Sequence, residues 1–211
     1  MTADARDTSI SRRSWLLAGL SLFLYRARAE ERLTPSYDGD NLRVSAPGLH
    51  FLTGKPLQRL KDGATVVYLA QLGLFEDAGF LRPIRLAPID RFAVSYDIWD
   101  QGKFSVTMLN PTPRTSPNLS APGTEAWCLE NMAISTSNLT QEQRFYLRLE
   151  MRTADQRDLS SVVAGPGISL TELVLRLGKK AGVDDPKWIR EAGPLRLADL
   201  VRMPGRGPRN G

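Results

Sequence analysis

Between Arg91 and Leu109, apolar and polar residues alternate on both sides of a single glycine turn. Phe92, Val94, Tyr96 and Ile98 share one face, with Ser95 and Asp97 on the other. After Asp100-Gln101-Gly102, Phe104, Val106 and Met108 alternate with Ser105 and Thr107. Period-two alternation around a glycine turn predicts a β-hairpin. The same period runs from Arg144 to Arg152. It sends Phe145, Leu147, Leu149 and Met151 to the core and Arg144, Tyr146, Arg148, Glu150 and Arg152 outward. Ala64 to Phe75 is apolar on both alternating faces, as in an interior strand with little solvent on either side. Leu42, Val44 and Ala46 mark a first strand before Pro47-Gly48. Arg82 to Pro88, with two prolines, reads as an irregular edge strand.

Helical signals are shorter. Pro56 to Asp62 makes two turns stopped by Gly63. Thr124 to Met132 reads as a helix with Ala126, Leu129 and Trp127 inward. Ser169 and Glu172 form a capping box ahead of the stripe Leu170, Leu173, Val174 and Leu177, which Gly178 and Gly182 close. Pro186 opens a last short helix through Glu191. Residues 110–123 hold four prolines and read as a loop. Residues 30–40 read as a linker, and residues 204–211 as a disordered tail. These elements predict a mainly β fold: an antiparallel β-sandwich-like domain over 41–155, with short helical inserts. A helical C-terminal segment, 156–203, packs on it. The alternative is an α+β fold, a single antiparallel sheet covered by helices.

The first 29 residues have a different character. A polar start ends in Arg12-Arg13, an apolar stretch runs from Ser14 to Tyr25, and Ala27-Arg28-Ala29 supplies small residues for signal cleavage. As a helix the apolar stretch is roughly 18 Å long, short of the about 30 Å hydrocarbon core. Ser11 to Leu17 resembles the twin-arginine export motif, with Trp15 in its aromatic place and Leu16 following. The resemblance implies an exported protein, periplasmic or envelope-associated, with no transmembrane span once the signal is removed. An ordinary secretion signal and a retained anchor are the other readings.

Composition changes the picture in two ways. The net charge is +5, with a pI of about 9.6, which suggests a nucleic-acid binder until the charge is located. Arg6, Arg12, Arg13, Arg26 and Arg28 lie in the export segment, and Arg202, Arg206 and Arg209 lie near the end. The body between is close to neutral and loses the electrostatic footprint of nucleic-acid binding. Cys128 is the only cysteine and His50 the only histidine. No internal disulfide, haem attachment, iron–sulfur or structural zinc pattern can be written from them, so no cofactor or metal is expected.

Chemistry has few places to reside. Cys128, within Ala126-Trp-Cys-Leu129, reads as a packed thiol. His50, beside a Pro-Gly turn, reads as a structural residue, and no Gly-x-Ser-x-Gly elbow accompanies it. Gly165-Pro-Gly-Ile-Ser169 offers amides to an anion but lacks the lysine of a phosphate loop. Asp97 and Asp100, flanking Trp99, are the best carboxylate cluster for hydrolysis, and solvated turn acids are the simpler reading. Asn118-Leu-Ser120 and Asn138-Leu-Thr140 match glycosylation acceptors, which bacterial-type export makes idle. Arg144, Tyr146, Arg148 and Arg152 project from one strand face at spacings of about 7 Å, a row suited to an anionic partner. Glu150 within the row fits an ordinary neutralised surface.

The segments Pro56 to Gly63, Arg91 to Trp99, Glu125 to Asn131 and Phe145 to Arg152 resemble a bacterial exported family catalogued as domain of unknown function 4390. The resemblance covers about half the chain, leaves residues 156–211 unplaced and transfers no catalytic residue. It implies an envelope-associated domain. The expectation is therefore a non-catalytic binding domain whose partner is an envelope protein or an anionic envelope component. A membrane-surface or lipid binder, and a carboxylate-dependent hydrolase of envelope sugars, are the alternatives.

Overall fold

Ten strands and two helices follow one another in the computed structural model, which describes residues 32–99, 102–110, 112–154, 169 and 186–202. In chain order they are β1 (Thr34–Tyr37), β2 (Asn41–Ser45), α1 (Gly54–Lys61), β3 (Val66–Phe75), β4 (Pro83–Leu86) and β5 (Asp90–Asp97). There follow β6 (Lys103–Met108), β7 (Arg114–Leu119), α2 (Ala121–Glu130), β8 (Ile134–Ser135), β9 (Phe145–Ala154) and β10 (Lys187–Leu195). The fold is mainly β. A seven-stranded antiparallel sheet runs β10-β9-β3-β5-β6-β7, with β4 also on β3, and a three-stranded sheet runs β1-β2-β8.

β3 is the axis of the larger sheet. All ten of its residues are buried, as its two-faced apolarity predicts. β9 pairs along one edge, Val67↔Ala154 to Phe75↔Tyr146. The other edge is shared end to end: β5 takes Val66 to Ala70, and β4 takes Gly73 to Phe75. The predicted hairpin is β5–β6, in register from Phe92↔Met108 to Asp97↔Lys103. Inward residues Tyr68, Leu72, Phe92, Val94, Val106, Phe145, Leu147, Leu149 and Met151 are each 0 % exposed. Leu42, Val44 and Ile134 of the smaller sheet join the same cluster, as do Leu60 of α1 and Cys128 and Leu129 of α2. One core therefore joins both sheets and both helices.

Four local expectations are corrected. Residues 34–37, expected in the linker, form β1 against β2. Pro35 has no N–H to give, which an edge strand tolerates. Residues 114–119, expected in a proline-rich loop, form the edge strand β7. Its register shifts between Phe104↔Leu119 and Val106↔Ser116, leaving Pro117 and Asn118 in a bulge. Asn118 takes φ 59° there, a left-handed conformation that Asn accepts.

The helix expected at 124–132 begins at Ala121, where the Ser120 hydroxyl accepts from the Gly123 amide at 3.2 Å and Pro122 lies in the first turn. Its buried stripe is Thr124, Glu125, Cys128 and Leu129. Ala126, expected inward, is exposed. Finally, residues 187–195 form β10 on β9 rather than a helix opened by Pro186. Its Trp188 ring packs against Phe51 at 6.2 Å and Tyr68 at 6.0 Å, and that apolar anchor outweighs the helix-start signal. The capping box and the stripe 170–177 lie outside the described residues, Ser169 excepted, as do the export segment and the tail.

Candidate functional site

The outer face of the larger sheet carries the arginine row. Register places Glu191 of β10 opposite Arg148 of β9, and Lys187 opposite Arg152. The row is thereby charge-matched. Arg148 Nε lies 3.4 Å from Glu191 Oε1, Arg152 Nη2 2.9 Å from Glu150 Oε1, and Lys187 Nζ 3.3 Å from the same oxygen. Burial alone raises the Glu150 carboxyl, but the Arg152 hydrogen bond and the Lys187 charge hold it below its ordinary value. Arg144 stands just before β9 and is exposed.

Next to this patch, aromatic rings fill the space that two glycines leave. A Cβ at Gly73 would sit 2.6 Å from Phe75 Cε2, and one at Gly193 would sit 2.5 Å from Tyr146 Cδ1. Each ring thus lies across a glycine, Phe75 on β3 and Tyr146 over β10. Phe80, from the β3–β4 connection, closes the cluster with ring centroids 5.2 Å from Phe75 and 6.2 Å from Tyr146. The Arg148 guanidinium carbon stands 5.0 Å from the Phe80 centroid, a cation–π contact. Phe80 adopts φ 54°, a left-handed conformation unusual for a bulky residue and held here by its ring contacts.

Phe80 lines two clefts. One, of about 280 Å³, is lined by Gln71, Gly73, Pro83, Arg148, Glu150 and Ser169. The other, of about 510 Å³, lies among Leu33, Pro35, Tyr146, Glu191 and Pro194. Among the described residues, Arg85, Arg148 and Arg190 each keep a buried Nε without a hydrogen-bond acceptor. For Arg148 the ion pair with Glu191 has the distance but not the direction of a hydrogen bond. Of the three, Arg148 lines the smaller cleft. That Nε is itself shielded from solvent, and the 27 % of the Arg148 side chain left exposed is what the cleft can offer a ligand.

The remaining candidates lie elsewhere. Asp97 Oδ1 accepts the Trp99 amide at 2.8 Å, so that carboxylate is engaged in shaping the turn, while Asp100 is outside the described residues. His50 is largely exposed, and its Nδ1 lies 2.9 Å from Glu125 Oε2. Glu125 Oε1 accepts the Leu52 amide at 2.9 Å. Glu125 is a buried carboxylate that sequence reasoning missed. It belongs to a fastening of the 46–53 loop onto α2. Cys128 is 0 % exposed, and burial with the neighbouring Glu125 pushes its thiol well above its ordinary value. Asp90, at the start of β5, is 9 % exposed, and burial pushes its carboxyl up to about 7.

Among the described residues no helix is long and apolar enough to cross a membrane. No protein-family model, curated protein or solved structure matches the chain.

Proposed function

We propose that residues 1–29 direct this chain across a membrane and that its folded body is an envelope-associated, non-catalytic binding domain. Its binding site is the cleft beside Arg148, and the ligand is an envelope component bearing a carboxylate or phosphate. The observation that carries this reading is the Arg148 side chain, 27 % exposed on the wall of a cleft and held against the Phe80 ring. Guanidinium donors select planar or tetrahedral oxyanions by direction as well as charge. The aromatic cluster fixes the guanidinium in advance of binding, which reduces the ordering cost of association.

The test is capture from a solubilised envelope fraction on immobilised protein, comparing the natural chain with Arg148→Glu. A bound component that carries an anionic group and is depleted at least about tenfold by the substitution is expected, since a charge-assisted pair contributes about 1.5–3 kcal/mol. Equal capture by both proteins overturns the site. Export is tested separately by sequencing the N-terminus of the protein recovered from the envelope fraction. A start near Glu30 is expected, and a start at Met1 defeats cleavage.

A further inference from the structure

We infer that the groove between residues 45–49 and α2 binds a small free amine, an ammonium group carried on a short aliphatic chain. The groove has a volume of about 200 Å³, and its walls are apolar: Ala46, Pro47 and Leu49 on one side, Ala126 and Leu129 of α2 on the other. It shares no described residue with the two clefts that Phe80 lines, so the inference stands independently of the Arg148 site. The walls are set before any ligand arrives. The Leu49 amide donates to the Ala46 carbonyl at 2.9 Å, and Glu125 fastens His50 and Leu52 to α2, also at 2.9 Å each. Walls tied in this way do not collapse onto the space that the small side chains of Ala46 and Ala126 leave. A preformed apolar concavity with a few polar groups is the usual form of a small-ligand site.

Charge selects among apolar ligands. Glu125 and Glu130 are the charged residues, among those described, that line the groove. Both Glu125 oxygens are engaged, one by the Leu52 amide and one by His50 Nδ1. Glu130 is exposed and ends α2. Arg43 Nη1 reaches the Glu130 carbonyl oxygen at 3.3 Å, not its carboxylate, and Arg43 Nε is already paired with Asp38 Oδ2 at 3.2 Å. Asp38, Glu125 and Glu130 thus stand against Arg43 and His50. The excess is one negative charge with the imidazole protonated and two with it neutral. The carbonyl end of α2 adds to this, because its last turn holds no basic residue. A cation is favoured at that mouth and an anion disfavoured. An ammonium donating to the Glu130 carboxylate leaves its chain to lie between Leu49 and Leu129. The volume holds about six or seven water-sized groups at about 30 Å³ each, enough to take a short amine whole.

The test is a titration of the full chain with three probes of one chain length: hexylammonium, hexanol and hexanoate. It is read from the methyl resonances of Ala46, Leu49, Ala126 and Leu129. Saturable shifts of these methyls are expected with hexylammonium, with an affinity about threefold weaker for hexanol and weaker still for hexanoate. Glu130→Gln, at an exposed position, is expected to bring hexylammonium down to the level of hexanol. Ala126→Leu, also at an exposed position, fills the groove and is expected to abolish the shifts with both probes while resonances elsewhere keep their places. Equal binding of hexanoate and hexylammonium overturns the inference, as does a Glu130→Gln protein that still prefers the amine. Shifts that do not saturate, or that persist in Ala126→Leu, remove the groove as the site. Tighter binding of Nα-acetyl-lysine methylamide than of hexylammonium overturns the free amine as occupant and puts a partner's lysine in its place.

Discussion

Glu125 and His50, separated by 75 positions in sequence, meet with Oε2 2.9 Å from Nδ1. The other carboxylate oxygen takes the Leu52 amide at the same distance. A single buried side chain thus ties the loop before α1 to α2 through one backbone and one side-chain donor. Glu125→Ala leaves the Leu52 amide without its acceptor beneath the surface. A loss of about 2–4 kcal/mol in unfolding free energy is expected from urea titration. His50→Ala is expected to lose about 1 kcal/mol or less, because the imidazole is more than half exposed. Equal losses from the two substitutions would remove the Leu52 bond as the main contribution.

Asp90 makes stability depend on pH in an unusual direction. Burial raises its carboxyl to about 7 from an ordinary 3.8. The folded state therefore holds a proton that the unfolded chain has released between those values, and unfolding free energy falls as pH rises through that window. Above about pH 7 this contribution is flat. The full effect is at most about 4 kcal/mol. Asp90→Asn, which cannot ionise, is expected to match the natural protein near pH 4 and exceed it at pH 8. Denaturant midpoints at several pH values measure this. A natural protein whose stability does not decline between pH 4 and 7, relative to the variant, would sink the assignment.

The hairpin β5–β6 and the strand β9 were legible because each buries one face, and a one-residue slip would expose Phe92 or Leu147. β3 was legible from its length and unbroken apolarity. β7 and β10 were not, for a shared reason. Their prolines and glycines are local turn signals, and they become strand residues only beside a partner: Pro117 at a bulge on β6, and Gly193 where the Tyr146 ring needs room. The candidate site shows the same division. The outward direction of Arg148 follows from alternation within β9. Its partner Glu191 stayed hidden because residues 186–191 read as a helix, and nothing local in Gly79-Phe80-Leu81 signals a ring folded back over Phe75. Glu125 was invisible for a simpler reason. A charged residue in a short helix is expected outside unless its distant donors are known.

Gly73 tests whether the floor of the smaller cleft is built by close packing. A methyl group there would lie 2.6 Å from Phe75 Cε2 and 3.0 Å from Leu86 Cδ2. Gly73→Ala is therefore expected to destabilise by about 1–3 kcal/mol through overpacking. Shortening the ring with Phe75→Leu in the same chain is expected to recover part of that loss, a coupling that a double-mutant cycle reads directly. Strict additivity of the two substitutions would show that Phe75 does not occupy the space the glycine leaves.

The charge matching between β9 and β10 is tested at Glu150, which accepts from both Arg152 and Lys187. Its carboxyl is held below its ordinary value, so the stabilisation is present above the unfolded-state value of about 4.3 and is lost as pH falls through the folded one. Glu150→Gln removes the shared anion and leaves two cations adjacent on paired strands. A loss of about 1 kcal/mol is expected at pH 7, discounted because Lys187 is 35 % exposed. The difference from the natural protein should close in acid, where Glu150 is itself protonated, and should narrow in high salt. Replacing both partners, Glu150→Gln with Lys187→Gln, is expected to restore part of the loss by removing the repulsion. If the single substitution were equally destabilising at pH 3 and pH 7, the carboxylate's shape rather than its charge would be holding β10 to β9.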